Sequence, residues 1–381
     1  MKKYWIYIVL ICLALFSSCR EDEFIDKPDP IEVGLPEYTS IQGFYLLNEG
    51  QMGTNKSSLD YYDYETGVYT RNIYPSANPE IARGLGDVGN DLKIYGDRLY
   101  AVINCSNLIE IMDKHTAKHI ESVSIPNCRY IRFHGKYAYV TSYAGPVQSG
   151  NNNSQLGFVA KIDTASLEII DRCEVGYQPD ELEIIGQKLY VANSGGYLSP
   201  NYEKTVSVID LNTFTVEKEI PVAINLHHLR KDRYAQLWVS SRGDYYGTSS
   251  KLYCIDTQQD IVIDSLDIAV SNFHLDGDSL YICSTEFNYS TMQNEITYGI
   301  VHVKHRRLVS ENFIKDGTER RIINPYGLTV NPITKDIYVS DSGNNVYTGT
   351  VYCFDKDGNK KWEMQTGVIP AHFTFLGELD D

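Results

Sequence analysis

Two sets of polar and aromatic residues recur along the chain in patterns that could do chemistry together. The first set stands just before short apolar runs: Asn90-Asp91, Arg129-Tyr130, Asp180-Glu181, His227-His228, Phe273-His274, Tyr326-Gly327 and Ala371-His372. Four of the nine histidines fall at this one recurring position. The second set follows other apolar runs: Tyr143, Tyr197, Tyr202, Arg242, Tyr245, Tyr246, Phe287, Tyr289 and Tyr347, with Asn48, Asn104, Asn193 and Asn344. A floor of directional polar groups inside aromatic walls would hold a sizeable, partly apolar ligand. The same floor could do acid–base chemistry instead, with Glu181, His228, His274 and His372 as proton carriers. The blandest account is that these groups satisfy strand-end backbone and order water.

Other chemical signals are weaker. Gly84-Leu85-Gly86-Asp87-Val88-Gly89 fits G-x-G-x-x-G but lacks the strand-to-helix context of a dinucleotide site. His115 with His119, and His302 with His305, have metal-like spacing, yet both pairs sit in Lys- and Arg-rich hairpin turns. His228, His274 and His372 come from distant segments, and no fixed spacing marks them as a metal set, so no metal ligand is assigned. G-x-S-x-G, H-E-x-x-H and P-loop motifs are absent. No catalytic cofactor is expected.

What must position these residues is a repeat. Its first part is an aromatic-led strand anchored by Tyr45, Tyr100, Tyr139, Tyr190, Trp238, Tyr281 and Tyr338, at intervals of 39 to 57 residues. Its second part is a strand, an acidic or Gly turn and a return strand, as in Thr205–Val216 and Leu252–Thr257. A third apolar strand precedes most anchors, as in Leu182-Glu183-Ile184, Ile131-Arg132-Phe133 and Leu328-Thr329-Val330. Seven anchors with four strands each predict an all-β, seven-bladed propeller over residues 41–381, a single domain. Tyr45 has no inner strand before it, and Pro370–Phe375 reads as that strand at the far end of the chain. The C-terminus is therefore expected to pair with the N-terminal blade and close the ring. In a propeller both residue sets fall on one face, which gives the candidate ligand site: Asp91, Arg129, Asp180, His228, His274, Tyr326 and His372 below, with Asn193, Tyr197, Tyr202, Arg242, Tyr245, Tyr246, Phe287, Tyr289 and Tyr347 around them.

Tyr139-Val140-Thr141-Ser142, Tyr190-Val191-Ala192-Asn193-Ser194-Gly195 and the Val206–Asp210 run resemble the repeat of YVTN-type, surface-layer propellers, over roughly residues 41–376. That resemblance implies the fold and leaves the activity open.

Residues 1–18 read as a signal peptide, with Lys2 and Lys3 ahead of an apolar run too short to span a bilayer. Phe16-Ser17-Ser18-Cys19 looks like a lipobox, with lipidation on Cys19. Residues 19–40 are acidic and proline-containing and read as a solvated tether outside the core. The formal charge is −16 and becomes −18 without Lys2 and Lys3, which disfavours nucleic acid and anionic membrane surface as partners. Of the cysteines beyond Cys12 and Cys19, Cys254 and Cys353 read as small buried hydrophobes, while Cys105 and Cys128 fall at neighbouring strand ends where a disulfide could form.

A propeller on a lipidated acidic tether, ending in Ile369-Pro370-Ala371-His372-Phe373, resembles the surface cobalamin-binding propeller lipoproteins. That resemblance implies a non-enzymatic protein, lipid-anchored at the outer membrane and facing the exterior. Such a protein captures cobalamin or another corrinoid as ligand and delivers it to a TonB-dependent barrel transporter. Two other readings stay open: a channel-mouth lyase or lactonase, and a protein-interaction scaffold at the cell surface.

Overall fold

The computed structural model describes residues 28–34, 40–146, 155–288 and 292–377. Cys19, residues 1–18 and Tyr289 lie outside them. Among the described residues there is no helix long and apolar enough to cross a membrane.

Seven antiparallel sheets are arranged as blades around a channel, and each of blades 2–7 is a consecutive four-stranded meander. Their innermost strands are Gly89–Tyr95, Cys128–His134, Pro179–Ile185, Leu226–Lys231, Asn272–Asp276 and Pro325–Val330. Blade 1 takes its innermost strand, Pro370–Gly377, from the C-terminus, against Ile41–Asn48. The register sets Phe375 opposite Phe44 and Phe373 opposite Leu46, so the expected closure is present.

Seven apolar clusters hold the ring, one at each junction between neighbouring blades. The anchors are part of these junctions rather than of single blades. Tyr45 donates to Lys114 O of blade 2 at 2.8 Å, and Tyr190 to Asp260 of blade 5 at 2.8 Å. The Tyr338 hydroxyl meets that of Tyr64 in blade 1 at 2.7 Å. A buried aromatic with a satisfied polar tip both fills a junction and fixes its register.

One expectation is corrected and one open question is answered. The tether reading of 19–40 fails over 29–34, because Asp29–Glu32 adds a fifth, outer strand to blade 1 beside Val68–Arg71. Ile31 and Val33 turn inward, Asp29 pairs with the buried Arg71, and Pro30 is tolerated because the strand is an edge. Cys105 and Cys128 do not form a disulfide: both thiols are free, and Cys128 is buried facing Leu108 O at 3.4 Å. Burial pushes the Cys128 thiol up to about 12, which suits a structural cysteine. Cys254 and Cys353 are buried, as expected.

Candidate functional site

The anchors index the channel wall. Opposite Tyr100, Tyr139, Tyr190, Trp238, Tyr281, Tyr338 and Tyr45 stand Lys93, Arg132, Glu183, Arg230, His274, Thr329 and Thr374. These seven form one ring. Two residues earlier on each strand, a second ring nearer the mouth holds Asp91, Tyr130, Glu181, His228, Asn272, Gly327 and His372. His274 therefore sits one ring deeper than His228, and Asn272 occupies the place that the sequence reading gave to His274. The cause is position along the strand: His274 pairs directly with its anchor Tyr281, as Lys93, Arg132 and Glu183 pair with theirs, whereas the residue opposite Trp238 is Arg230 and His228 lies two residues above it.

Above the upper ring, a cleft of about 610 Å³ opens on the expected face. Of the predicted residues it is lined by Arg129, His228, Arg242, Tyr245, Tyr246, Phe287, Tyr326 and His372. Tyr245, Tyr246 and Phe287 are 55%, 83% and 45% exposed, so aromatic surface is presented to solvent along one wall. Glu49, Asn90, Tyr130, His227, Asn272, Glu286 and Asn324 line it as well. Glu49 follows the first anchor strand directly, the position that supplies the aromatic loops in other blades, so the same alignment could have found it.

The remaining predicted residues serve elsewhere. Asp180 is fully buried beneath the floor, held by Arg129 at 3.0 Å, Arg242 at 2.9 Å and the Tyr143 hydroxyl at 2.6 Å. Asp91 is buried and paired with Lys93 at 2.6 Å and Arg132 at 3.1 Å. Asn193 is buried inside its own blade, donating to Ser207 Oγ at 2.8 Å and Thr205 Oγ1 at 3.0 Å. It braces strands rather than facing a ligand. Tyr197, Tyr202 and Tyr347 are on loops of the same face but do not line the cleft.

Charge in the upper ring is internally balanced. Glu181 pairs with Arg132 and Arg230, accepts from Leu229 N at 3.1 Å, and lies 2.8 Å from His228 Nδ1. Burial works to raise its carboxyl, yet Arg230, Arg132 and His228 hold it well below the ordinary range. Burial likewise opposes ionisation of Asp91, but Lys93 and Arg132 bring it down to about 2. Burial, together with Arg242, keeps His227 neutral well below the usual imidazole range; burial also lowers His228, against the pull of Glu181. An ionised Glu181 only accepts, so neutral His228 carries its proton on Nδ1 and leaves Nε2 as an acceptor or ligand atom. The His227 and His228 rings are 3.6 Å apart, and Tyr130 Oη is 3.0 Å from His227 Nε2. Across the cleft, Tyr326 donates to Glu49 at 3.1 Å, and His372 Nε2 stands 3.3 Å from the same carboxylate without hydrogen-bond geometry.

Neither the acid–base set nor a metal set is gathered in one place. Glu181 is committed to two guanidiniums, and His274 lies within 3.4 Å of Thr329 in the lower ring. Among the described residues no three His, Cys, Asp or Glu side chains are placed to hold a metal ion. His119, of the His115–His119 pair, is spent on buried Glu110, at 2.5 Å.

Residues 42–376 match the family described as "Domain of unknown function (DUF5074)". The chain belongs to the DUF5074 family. No curated protein sequence matches this DUF5074 chain. Among solved structures it is similar to a putative 6-phosphogluconolactonase from Bacteroides fragilis, at TM-score 0.60 and 12% identity over 90% of this chain and 100% of that one. It is also similar to a quinonprotein alcohol dehydrogenase-like protein from Bacteroides thetaiotaomicron, at TM-score 0.55 and 13% identity over 89% and 79%. A third is Kuenenia stuttgartiensis hydrazine synthase, at TM-score 0.56 and 16% identity over 71% and 77%. Likeness at these identities establishes the propeller and carries no activity across.

Proposed function

We propose that this DUF5074 propeller is a binding protein whose cleft captures cobalamin or another corrinoid. We place it as a lipoprotein anchored through Cys19 at the outer membrane, passing its cargo to a TonB-dependent barrel. The observation that carries the reading is the make-up of the cleft. Its buried carboxylates Asp91, Asp180 and Glu181 are each paired with cations, and what it offers upward includes neutral donors and acceptors: Asn90, His227, Asn272 and Tyr326. Exposed Tyr245, Tyr246 and Phe287 stand along one wall. A corrinoid is broad, apolar on its faces and fringed with amides, which is the chemistry such a surface complements. A volume of about 610 Å³ is ordinary for a small-molecule site, and the open side lets a broader ligand project outward. Of His228, His274 and His372, only His228 and His372 line the cleft, and the Nε2 atom of either is a candidate to face a corrin-bound metal.

The test is a calorimetric or absorbance titration of the purified chain with cyanocobalamin. Saturable one-to-one binding is expected, and the Tyr245→Ala/Tyr246→Ala double variant should bind about tenfold or more weakly at unchanged thermal midpoint. Absence of binding defeats the corrinoid reading. Turnover of a lactone by the same preparation would favour the enzymatic alternative.

A further inference from the structure

At one place on the cleft floor cations outnumber the anion between them, although Glu49 and Glu286 also line the cleft. The chain carries −16 overall, yet the two guanidiniums facing the cleft, Arg129 and Arg242, share a single carboxylate. Asp180 is saturated: Oδ1 accepts from Arg129 Nε and Nη2 and from Tyr143, and Oδ2 from Arg242 Nη1. Arg129 spends its remaining arm on Asn90 Oδ1. Arg242 differs. Among the described residues nothing accepts from its Nε or Nη2, and a quarter of its side chain is open to the cleft. Two partly desolvated cations against one anion are costly unless a further anion completes the set, and a guanidinium edge matches a phosphate oxygen pair. The opposite wall carries Glu49, whose charge would turn an anion away.

We propose that Arg242, backed by Arg129, is an anion subsite for a phosphate-type group of the ligand. Resting on the corrinoid reading, that group is the phosphodiester joining the nucleotide base to the corrin ring, so the cleft prefers complete corrinoids to those lacking the nucleotide. The ligand is oriented with its nucleotide arm toward Arg242 and its amide edge toward Glu49 and Tyr326.

The experiment compares cyanocobalamin with dicyanocobinamide, which lacks the phosphodiester, on the full chain and on Arg242→Gln and Arg242→Lys. Asp180 Oδ1 keeps Arg129 and Tyr143 in both variants, but Oδ2 loses Arg242 Nη1. The thermal midpoint of each variant is therefore measured beside its affinities, to separate a disturbed floor from a lost anion contact. Cyanocobalamin should bind the native chain about tenfold or more tightly than dicyanocobinamide. Arg242→Gln should erase that gap by weakening cyanocobalamin alone, and Arg242→Lys should restore part of it. An absent gap, or one that Arg242→Gln leaves intact, overturns the subsite. If neither corrinoid binds, the corrinoid reading falls, and inorganic phosphate decides the subsite separately. Millimolar phosphate raising the thermal midpoint of the native chain but not of Arg242→Gln upholds it, and equal response of the two overturns it.

Discussion

At the level of single side chains, the channel depends on histidines that stay uncharged. Burial, helped by Arg230, lowers His274 to about 3, whereas in an unfolded chain it titrates near 6.5. The sign follows: below about 6.5 the unfolded chain takes up a proton that the native ring refuses, so stability is full at neutral pH and falls as pH drops toward 3. The slope from His274 is at most about 1.4 kcal/mol per pH unit, an upper bound because the ring keeps some contact with channel water. His274→Gln should flatten the pH dependence of the urea midpoint over that window, and an unchanged slope would assign the effect to other groups. Asp91 acts only lower down, since its stabilisation is present above about 3.9 and is lost toward 2. Residue types at the mouth were legible in the sequence, and their pairings were not. Nothing in the order of residues says that Asp180 lies under Arg129 and Arg242 from blades 3 and 5, because those contacts are made across the ring.

At the level of strands, apolar alternation and turn chemistry made the blades readable, down to the strand that closes the ring. What they did not deliver was depth within the channel. His228 and His274 look equivalent when aligned on their apolar neighbours, yet pairing with the anchor strand sets His274 opposite Tyr281, level with Arg230 opposite Trp238, and leaves His228 nearer the mouth. The outer strand Asp29–Glu32 escaped for another reason: acids and prolines around it masked the alternation of Ile31 and Val33, and its partner strand is distant in sequence. The joint between blades 7 and 1 offers a test of how strand packing sets the cleft. A Cβ at Gly327 would meet Ala371 O at 2.5 Å and Ser340 Oγ at 2.7 Å. Gly327→Ala should therefore destabilise the ring by about 1–3 kcal/mol in chemical denaturation. It should also weaken ligand binding on the Tyr326–His372 side, and a variant with native stability and affinity would show that the joint has slack.

At the level of the whole molecule, the ring is held by seven junctions of similar make-up, and among the described residues blade 1 alone joins strands from two distant parts of the chain, 29–71 and 370–377. Removing residues 370–381 would strip Phe373, Phe375 and Leu376 from beside Phe44 and Leu46 and leave an open sheet edge. The truncated chain should lose its cooperative thermal transition and its near-ultraviolet circular dichroism and should associate on size-exclusion chromatography. A monomer with a native spectrum would mean that the remaining six junctions suffice.

The closing strand also determines when the protein becomes competent. Glu49 and His372 are distant along the chain, yet they stand 3.3 Å apart at the mouth of the cleft. Until Pro370–Gly377 has paired with Ile41–Asn48, the wall that His372 gives the cleft is missing and the hollow is incomplete. Binding of any molecule in that cleft would then report that the ring has closed.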